Sequence, residues 1–126
     1  RVIHASSKSE QVDATNAQVA KWTSKESGLR ADQIAVITRG KTSNSSLAGV
    51  KKIGGFTVVD DLERWRNGAG ILLTSLYRFK GLEADALIFA DVCKPEPSAP
   101  PHGFRSEHFY VGCSRAKHLL TIVETD

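Results

Sequence analysis

The sequence lacks the features that would assign it at once to a secreted or membrane class of protein. Its 126 residues include only two cysteines, too few for the disulfide framework of small secreted domains. No apolar run approaches the roughly 20 residues that a helix needs to cross a membrane. The N-terminus also lacks a basic-then-apolar signal pattern. We therefore expect a cytoplasmic protein without a membrane partner.

Methionine is absent altogether, and the chain begins at Arg1. Because translation starts at methionine, we expect a processed product or a piece of a longer protein. The length suits one domain, and 40% hydrophobic with 25% charged residues is typical of a globular protein. A net charge of +3 is compatible with nucleic acid or nucleotide phosphate as a partner. We expect residues 1–126 to form a single domain.

Short apolar segments alternate with segments of helical character. The runs at 70–75 and 85–92 are almost continuously apolar, as in strands of a parallel sheet that is buried on both faces. The alternation predicts an α/β fold, a three-layer sandwich with a mainly parallel sheet. Strands are predicted at 2–5, 33–39, 56–59, 70–75, 85–92 and 119–124, helices at 8–27, 60–68 and 104–118, a serine-rich turn at 42–55 and a proline-rich loop at 94–103.

Two apparent ligand motifs fail on their spacing. Residues 40–42, GKT, resemble the end of a phosphate-binding loop, but Ala35 stands where that pattern needs glycine. We interpret them as a polar turn, and Asp60 or Asp61 as a helix N-cap rather than a Mg²⁺ ligand. The candidate zinc ligands lack the short paired spacing of structural sites, so no metal site is predicted. They are Cys93, His102, His108 and Cys113.

The polar loop between the two apolar strands, residues 75–83 (SLYRFKGLE), carries the most information. Ligands of parallel α/β sheets bind at the carboxyl ends of strands, and this loop starts at such an end, where we expect its residues to lie. Gly81 permits a positive φ or the close approach of a ligand. Glu83 can accept hydrogen bonds from sugar hydroxyls, and Tyr77 and Arg78 can contact a base or phosphate. A solvated turn with a structural glycine is the alternative, which these residues alone slightly favour.

A second segment, FYVGCSRAKHLLTIV at 109–123, places Arg115 on a predicted helix before an apolar strand. Together the two segments resemble motifs V and VI of superfamily 1 DNA helicases of the UvrD/Rep type. The family's motif V resembles Thr-x-His-x-x-Lys-Gly-Leu-Glu, here 75–83 with Tyr77 in place of His. Its motif VI resembles Tyr-Val-Ala-x-Thr-Arg-Ala-Lys, here 110–117. Residues 34–40 resemble motif IV more weakly, with Thr38 at the aromatic position and Arg39 retained.

The resemblance implies the second RecA-like motor domain of a helicase, with a P-loop NTPase-like fold. Such a domain closes on ATP and Mg²⁺ that are held mainly by an N-terminal RecA-like domain, which this chain does not contain. By similarity, Arg115 is an arginine finger on the γ-phosphate and Arg39 a second cation there. Glu83 meets the ribose, Gly81 allows the approach, and Lys80 is a phosphate contact or a structural partner in the same loop.

The resemblance also implies contacts to single-stranded or partly duplex DNA through Thr74, Ser75 and Tyr77, to which Arg78 adds its charge. The Lys-Gly-Leu-Glu form favours the UvrD group, and so 3′→5′ translocation, with DNA repair as a family-level expectation. The isolated chain should not hydrolyse ATP, because it has no P-loop. A non-enzymatic nucleic-acid-binding module and a degenerate helicase-like scaffold are the alternatives.

Overall fold

A curled, mostly parallel sheet organises the part of the chain that the computed structural model describes, residues 1–93 and 113–125. Among these residues, the helices α1 and α2, whose ranges follow, and two short 3₁₀ turns, Ala31–Gln33 and Thr42–Asn44, join the strands. In chain order the strands and helices are β1 (Val2–His4), α1 (Lys8–Trp22), β2 (Ile34–Thr38), β3 (Lys52–Ile53), β4 (Phe56–Val59), α2 (Leu62–Arg66), β5 (Ile71–Ser75), β6 (Ala84–Val92) and β7 (Ala116–Glu124).

The seven strands lie in the order β1-β7-β6-β2-β5-β4-β3. Every neighbouring pair is parallel except β3 and β4, which form a short antiparallel ribbon. The strands β2 and β5 are buried along their whole length, as their continuous apolar runs predict. The α/β class and the mainly parallel sheet are thereby confirmed, and the architecture is compatible with a RecA-like fold.

The two faces of the sheet carry separate cores because side chains alternate along each strand. On β2, Ile34 and Val36 belong to the core on the α1 face, while Ala35 and Ile37 belong to the core on the α2 face. Trp22 of α1 packs into the first core, and Trp65 of α2 packs into the second. Helices on both faces give the three layers that the sequence predicts.

The N-terminal helix is shorter than the predicted 8–27. It begins after Ser7, whose side chain accepts a hydrogen bond from the Glu10 amide as expected of an N-cap. It ends at Trp22 because the next two side chains compete for helical carbonyls: the Thr23 hydroxyl donates to the carbonyl of Val19, and that of Ser24 to the carbonyl of Lys21. No helix of the described residues is long and apolar enough to cross a membrane.

The last strand begins three residues earlier than predicted, at Ala116 rather than 119. Cys113 is helical and residues 114–115 form a turn, so the predicted helix at 104–118 is wrong over its last residues. Pairing of Ala116 with Ala84 in the parallel ladder draws the segment into the sheet, a tertiary effect that local periodicity does not contain. The rest of that helix and the loop at 94–103 lie outside the described residues.

The face of α1 that packs on the sheet is unexpectedly polar. Gln11 is almost fully buried (1% exposed), and its amide group bonds to the ends of three strands. Its Nε2 donates to the carbonyls of Ala5 (2.6 Å) and Glu124 (3.3 Å). Its Oε1 accepts from the backbone N–H of Asp91 (3.0 Å), a non-glycine residue with a φ of 56°. The amide thereby holds β1, β6 and β7 together where they end.

We predict that Gln11→Leu lowers the free energy of unfolding by about 2–4 kcal/mol, because the Asp91 N–H and two carbonyls lose their buried partner. Asp13→Asn, an exposed substitution on the same helix, should change stability by no more than about 0.5 kcal/mol. Urea unfolding followed by circular dichroism measures both. A loss below about 1 kcal/mol for Gln11→Leu would contradict the structural role of the amide.

Gly70 is required by the close packing of β4 against the start of β5. A Cβ there would overlap the backbone carbonyl of Thr57, which cannot move without disturbing the ladder. Gly40, by contrast, has open space around its Cα and no left-handed φ.

We expect Gly70→Ala to destabilise the domain by about 1–3 kcal/mol, the cost of overpacking. Gly40→Ala should be neutral within about 0.5 kcal/mol. Each variant adds one methyl group to the unmodified chain, so the difference between their melting temperatures compares the two sites directly. Equal melting temperatures would show that the β4–β5 contact is looser than described.

Candidate functional site

Most of the predicted site residues lie on a short connection between β5 and β6. It crosses the sheet from the carboxyl ends of the parallel strands, here called the carboxyl edge, to their amino ends, the amino edge. It leaves the carboxyl end of β5 at Ser75 and enters the amino end of β6 at Ala84. Successive turns compact it: the Phe79 amide donates to the Ser75 carbonyl, and the Leu82 amide to the Phe79 carbonyl, both at 3.0 Å. Phe79 is fully buried in the α2-side core. This side chain fixes the path of the connection, so its two ends hold definite positions.

The end of this connection meets Arg115 at the amino edge of the sheet. The Ala84 amide donates to the Arg115 carbonyl at 3.0 Å, and the Arg115 Nη1 donates to the Leu82 carbonyl at 3.5 Å. Arg115 lies in the turn before β7 rather than on a helix. Two segments that are more than thirty residues apart in sequence therefore meet at the amino edge. Residues 110–112 of the second motif lie outside the described residues.

This position corrects one sequence-based expectation. Glu83 immediately precedes β6, so it lies at the amino edge and not at the carboxyl edge where the loop starts. The expectation overlooked that β5 and β6 are parallel, which forces the connection to return along the full height of the sheet before β6 begins.

The backbone around Gly81 is open to a ligand. Gly81 has a φ of 82°, and no atom lies within 4 Å of where its Cβ would be. Lys80 and Glu83 on either side are exposed, and Arg115 is half-buried. The amino edge thus offers a guanidinium and a carboxylate beside a bare stretch of backbone, and the ammonium of Lys80 lies on the connection that leads to it. This donor set fits a nucleotide, with cations for phosphates and a carboxylate for sugar hydroxyls.

Arg39 lies at the opposite edge. It follows β2 directly, and its Nη1 donates to the Sγ of Cys93 (2.8 Å), just beyond the end of β6. Arg115 is bonded at the start of β6, so the length of that strand, about 25 Å, separates the two positions. Within this domain the two guanidinium groups do not converge on one phosphate, contrary to their predicted pairing. Thr38, at the aromatic position of the motif IV resemblance, is buried, and its hydroxyl donates to the Gly40 carbonyl at 2.6 Å.

The predicted nucleic-acid contacts cluster at the carboxyl end of β5, with differing exposure. Tyr77 is 83% exposed, and Arg78 is exposed beside it. Thr74 and Ser75 are buried. The Ser75 Oγ accepts from the Arg78 amide (3.2 Å), so this hydroxyl shapes the turn that presents the aromatic and cationic side chains.

A cleft of about 450 Å³ opens beside these residues on the α2 face. Its apolar floor includes Leu72 and Phe79. Asp61 is confirmed as the N-cap of α2, accepting from the Glu63 amide at 2.9 Å. The sequence-based interpretation assigned the adjacent acids to capping alone and missed that both border a cavity. The residues that line the cleft are Asp60, Asp61, Leu62, Leu72, Thr74, Arg78 and Phe79.

Comparison with known proteins yields a structural likeness. No protein-family model matches the chain, and no curated protein matches it. Among solved structures, the chain is similar to the C-terminal domain of a possible DNA helicase from Lactobacillus plantarum WCFS1. The TM-score is 0.68 at 23% sequence identity, over 99% of this chain and 73% of that one. At this identity the likeness establishes a shared fold.

Cys113, two residues before Arg115, tests the local electrostatics of the amino edge. Burial raises the pKa of its thiol above the ordinary value, because desolvation disfavours the charged thiolate. In a chain carrying Cys93→Ala, Cys113 is the remaining thiol, and its alkylation by iodoacetamide reports the thiolate fraction.

We predict that the pH at which the alkylation rate rises lies higher for the native chain than for the same chain in urea. Below that pH the native thiol is protected. A native midpoint at or below that of the unfolded chain would mean that nearby positive charge outweighs burial at this position.

Proposed function

We propose that this chain is the second motor domain of an ATP-driven DNA helicase of the UvrD type, which moves 3′→5′ along single-stranded DNA. The observation that carries the proposal is the meeting of the two motif segments at the amino edge, through the Ala84–Arg115 hydrogen bond. A RecA-compatible sheet and the helicase neighbour of the same fold support it. ATP and Mg²⁺ would be held mainly by an N-terminal motor domain, which is the proposed partner.

In this proposal the amino edge closes on the ATP held by that partner domain. Arg115 stabilises the negative charge that develops on the transferred phosphoryl group, and its planar fork suits phosphate oxygens better than an ammonium. The carbonyl of Leu82, which accepts from its Nη1, helps to hold the side chain at this edge. Glu83 accepts hydrogen bonds from the ribose, and Lys80 contributes charge near the phosphates. Gly81 leaves room for the nucleotide, since no side chain covers its backbone.

The carboxyl edge serves DNA. Tyr77 offers an exposed ring on which a base can stack, and Arg78 a cation for a phosphate. Thr74 and Ser75 lie below them, so we assign them to the turn and to the adjoining cleft. Arg39 also lies at this edge, and on geometric grounds we assign it a role separate from that of Arg115.

The connection between the edges gives a physical route for coupling. Eight residues, 76–83, join the proposed DNA contacts to the proposed nucleotide contacts, and Phe79 anchors them in the core. A shift of Glu83 upon nucleotide closure is therefore transmitted toward Tyr77 through a short, packed segment rather than a slack loop. Such a segment suits a motor, which must change its hold on DNA with nucleotide state.

We predict that Arg115→Ala in the full-length parent reduces kcat for ATP hydrolysis by about 10³–10⁵, the range measured for arginine fingers. ATP binding should remain within about threefold, because most contacts belong to the partner domain. Arg64→Ala removes an exposed arginine of α2 and serves as the control, with unchanged turnover. Steady-state ATPase assays and nucleotide titration measure the two effects. Unchanged turnover in Arg115→Ala would exclude the finger role.

A non-enzymatic nucleic-acid-binding module is the second candidate. The exposed side chains of Tyr77 and Arg78 favour it, because they can bind DNA without any nucleotide site. It predicts tight, salt-sensitive DNA binding by the isolated chain and a parent that shows no DNA-stimulated ATPase. A degenerate scaffold predicts a parent that neither hydrolyses ATP nor binds DNA. The same ATPase assay on the unmodified parent therefore separates the motor from both.

A further inference from the structure

The cleft beside Thr74 has a composition that the proposed motor function does not explain. Its floor is apolar, formed in part by Leu72 and Phe79, which are 1% and 0% exposed. Its rim carries the carboxylates of Asp60 and Asp61 and the guanidinium of Arg78. The volume of about 450 Å³ lies within the range of small-ligand sites.

The charge of this rim disfavours a phosphodiester in the cleft. Two carboxylates against one guanidinium leave a net negative rim, which repels a polyanionic backbone. One Asp61 oxygen is occupied by the Glu63 amide. Among the described residues, the Asp60 carboxylate and the Arg78 guanidinium make no hydrogen bond or ion pair with another side chain. Both groups are therefore available to a ligand.

A nucleobase matches this combination of an apolar floor and a carboxylate rim. It is flat and uncharged, and its ring can lie on the apolar floor. Cytosine, adenine and guanine carry amino groups that donate to a carboxylate, as in the pairing of Asp with cytosine N4. Thymine lacks such an amino group, and its one ring donor, N3–H, lies between two carbonyl oxygens that a carboxylate repels, so thymine is the poorer partner. Tyr77, 83% exposed next to Arg78, supplies a ring on which the neighbouring base can stack.

We propose that this cleft takes one unstacked base of single-stranded DNA and that Asp60 selects an amino-bearing base over thymine. The inference rests on the proposed function, since it assumes that DNA crosses the carboxyl edge. It adds base preference, a property that contacts to the phosphate backbone alone do not provide. Arg78 then holds the phosphate just outside the cleft while Asp60 reads the base within it.

The test uses the 126-residue chain and fluorescently labelled oligodeoxycytidylate and oligothymidylate of equal length, at neutral pH and one salt concentration. Equal length fixes the phosphate contribution, so any difference in Kd reports the bases. We expect oligodeoxycytidylate to bind about three- to tenfold more tightly, the effect of one net hydrogen bond. Asp60→Asn should reduce the preference to less than about twofold.

Glu63→Gln is the matched control, because it removes the same charge from an exposed position on α2 outside the cleft. This variant should keep the preference. Circular dichroism melting verifies that both variants fold, which the exposure of both side chains favours. Deoxycytidine and thymidine, which carry no phosphate, provide a second readout: deoxycytidine alone should shift the amide resonances of Asp60, Thr74 and Arg78.

The possible results distinguish failure of the base preference from failure of the proposed DNA-binding role. Equal affinities for the two oligonucleotides would overturn the base preference and leave DNA binding intact. An equal rise in both affinities upon Asp60→Asn would show that the carboxylate only repels phosphate, and would also overturn it. Binding of neither oligonucleotide would remove the DNA role of this edge altogether. Shifts of the cleft amides by an arginine-rich peptide but not by deoxycytidine would assign the cleft to a protein segment instead.

Discussion

The side-chain amide of Gln11 is the interaction on which the carboxyl edge of this domain depends. Backbone groups at the ends of β1, β6 and β7 are satisfied by one buried side chain on α1. The same contact supports Asp91 in its left-handed conformation, from which its carboxylate accepts hydrogen bonds from the amide and hydroxyl of Ser46. The position of α1, the strand ends and the loop after β2 are thus coupled. A polar group of Gln11 or Asp91 that lost its partner in this partly buried network would lower the stability of the fold.

The domain presents two chemically different edges joined by a stiff crossing segment. The amino edge gathers Glu83 and Arg115 beside an open backbone, whereas the carboxyl edge combines the exposed ring of Tyr77 with the cleft. Phe79 separates and fixes them, packing edge-on against Trp65 at 6.2 Å. The Trp65 indole in turn donates to the carbonyls of Ala31 and Ile34. The crossing segment is therefore anchored to β2 through the buried contacts of Phe79 and Trp65.

Sequence patterns predicted the central strands and the cap at Asp61 because those features depend on local apolar runs and short-range hydrogen bonds. They missed three features that depend on distant partners. The start of β7 is set by pairing with β6, and the polar face of α1 by strand ends far along the chain. The placement of Glu83 at the amino edge follows from the parallel direction of β5 and β6, both of which pair with β2, and the residues of the loop do not encode that direction. The resemblance pointed to both motif segments, while their contact through Ala84 and Arg115 is seen in the structure alone.

The pairing of β1 with β7 has a consequence for how the domain forms during synthesis. The Ile122 amide donates to the Arg1 carbonyl, and the backbone nitrogen of Arg1 donates to the carbonyl of Leu120, 119 residues away. At typical translation rates, the first strand emerges on the order of ten seconds before its partner. Throughout that interval β1 has no partner strand, and its pairing with β7 closes the longest loop between paired strands of the described sheet. Among the seven described strands, β1, an edge strand, is thus made first but paired only after β7 has been made.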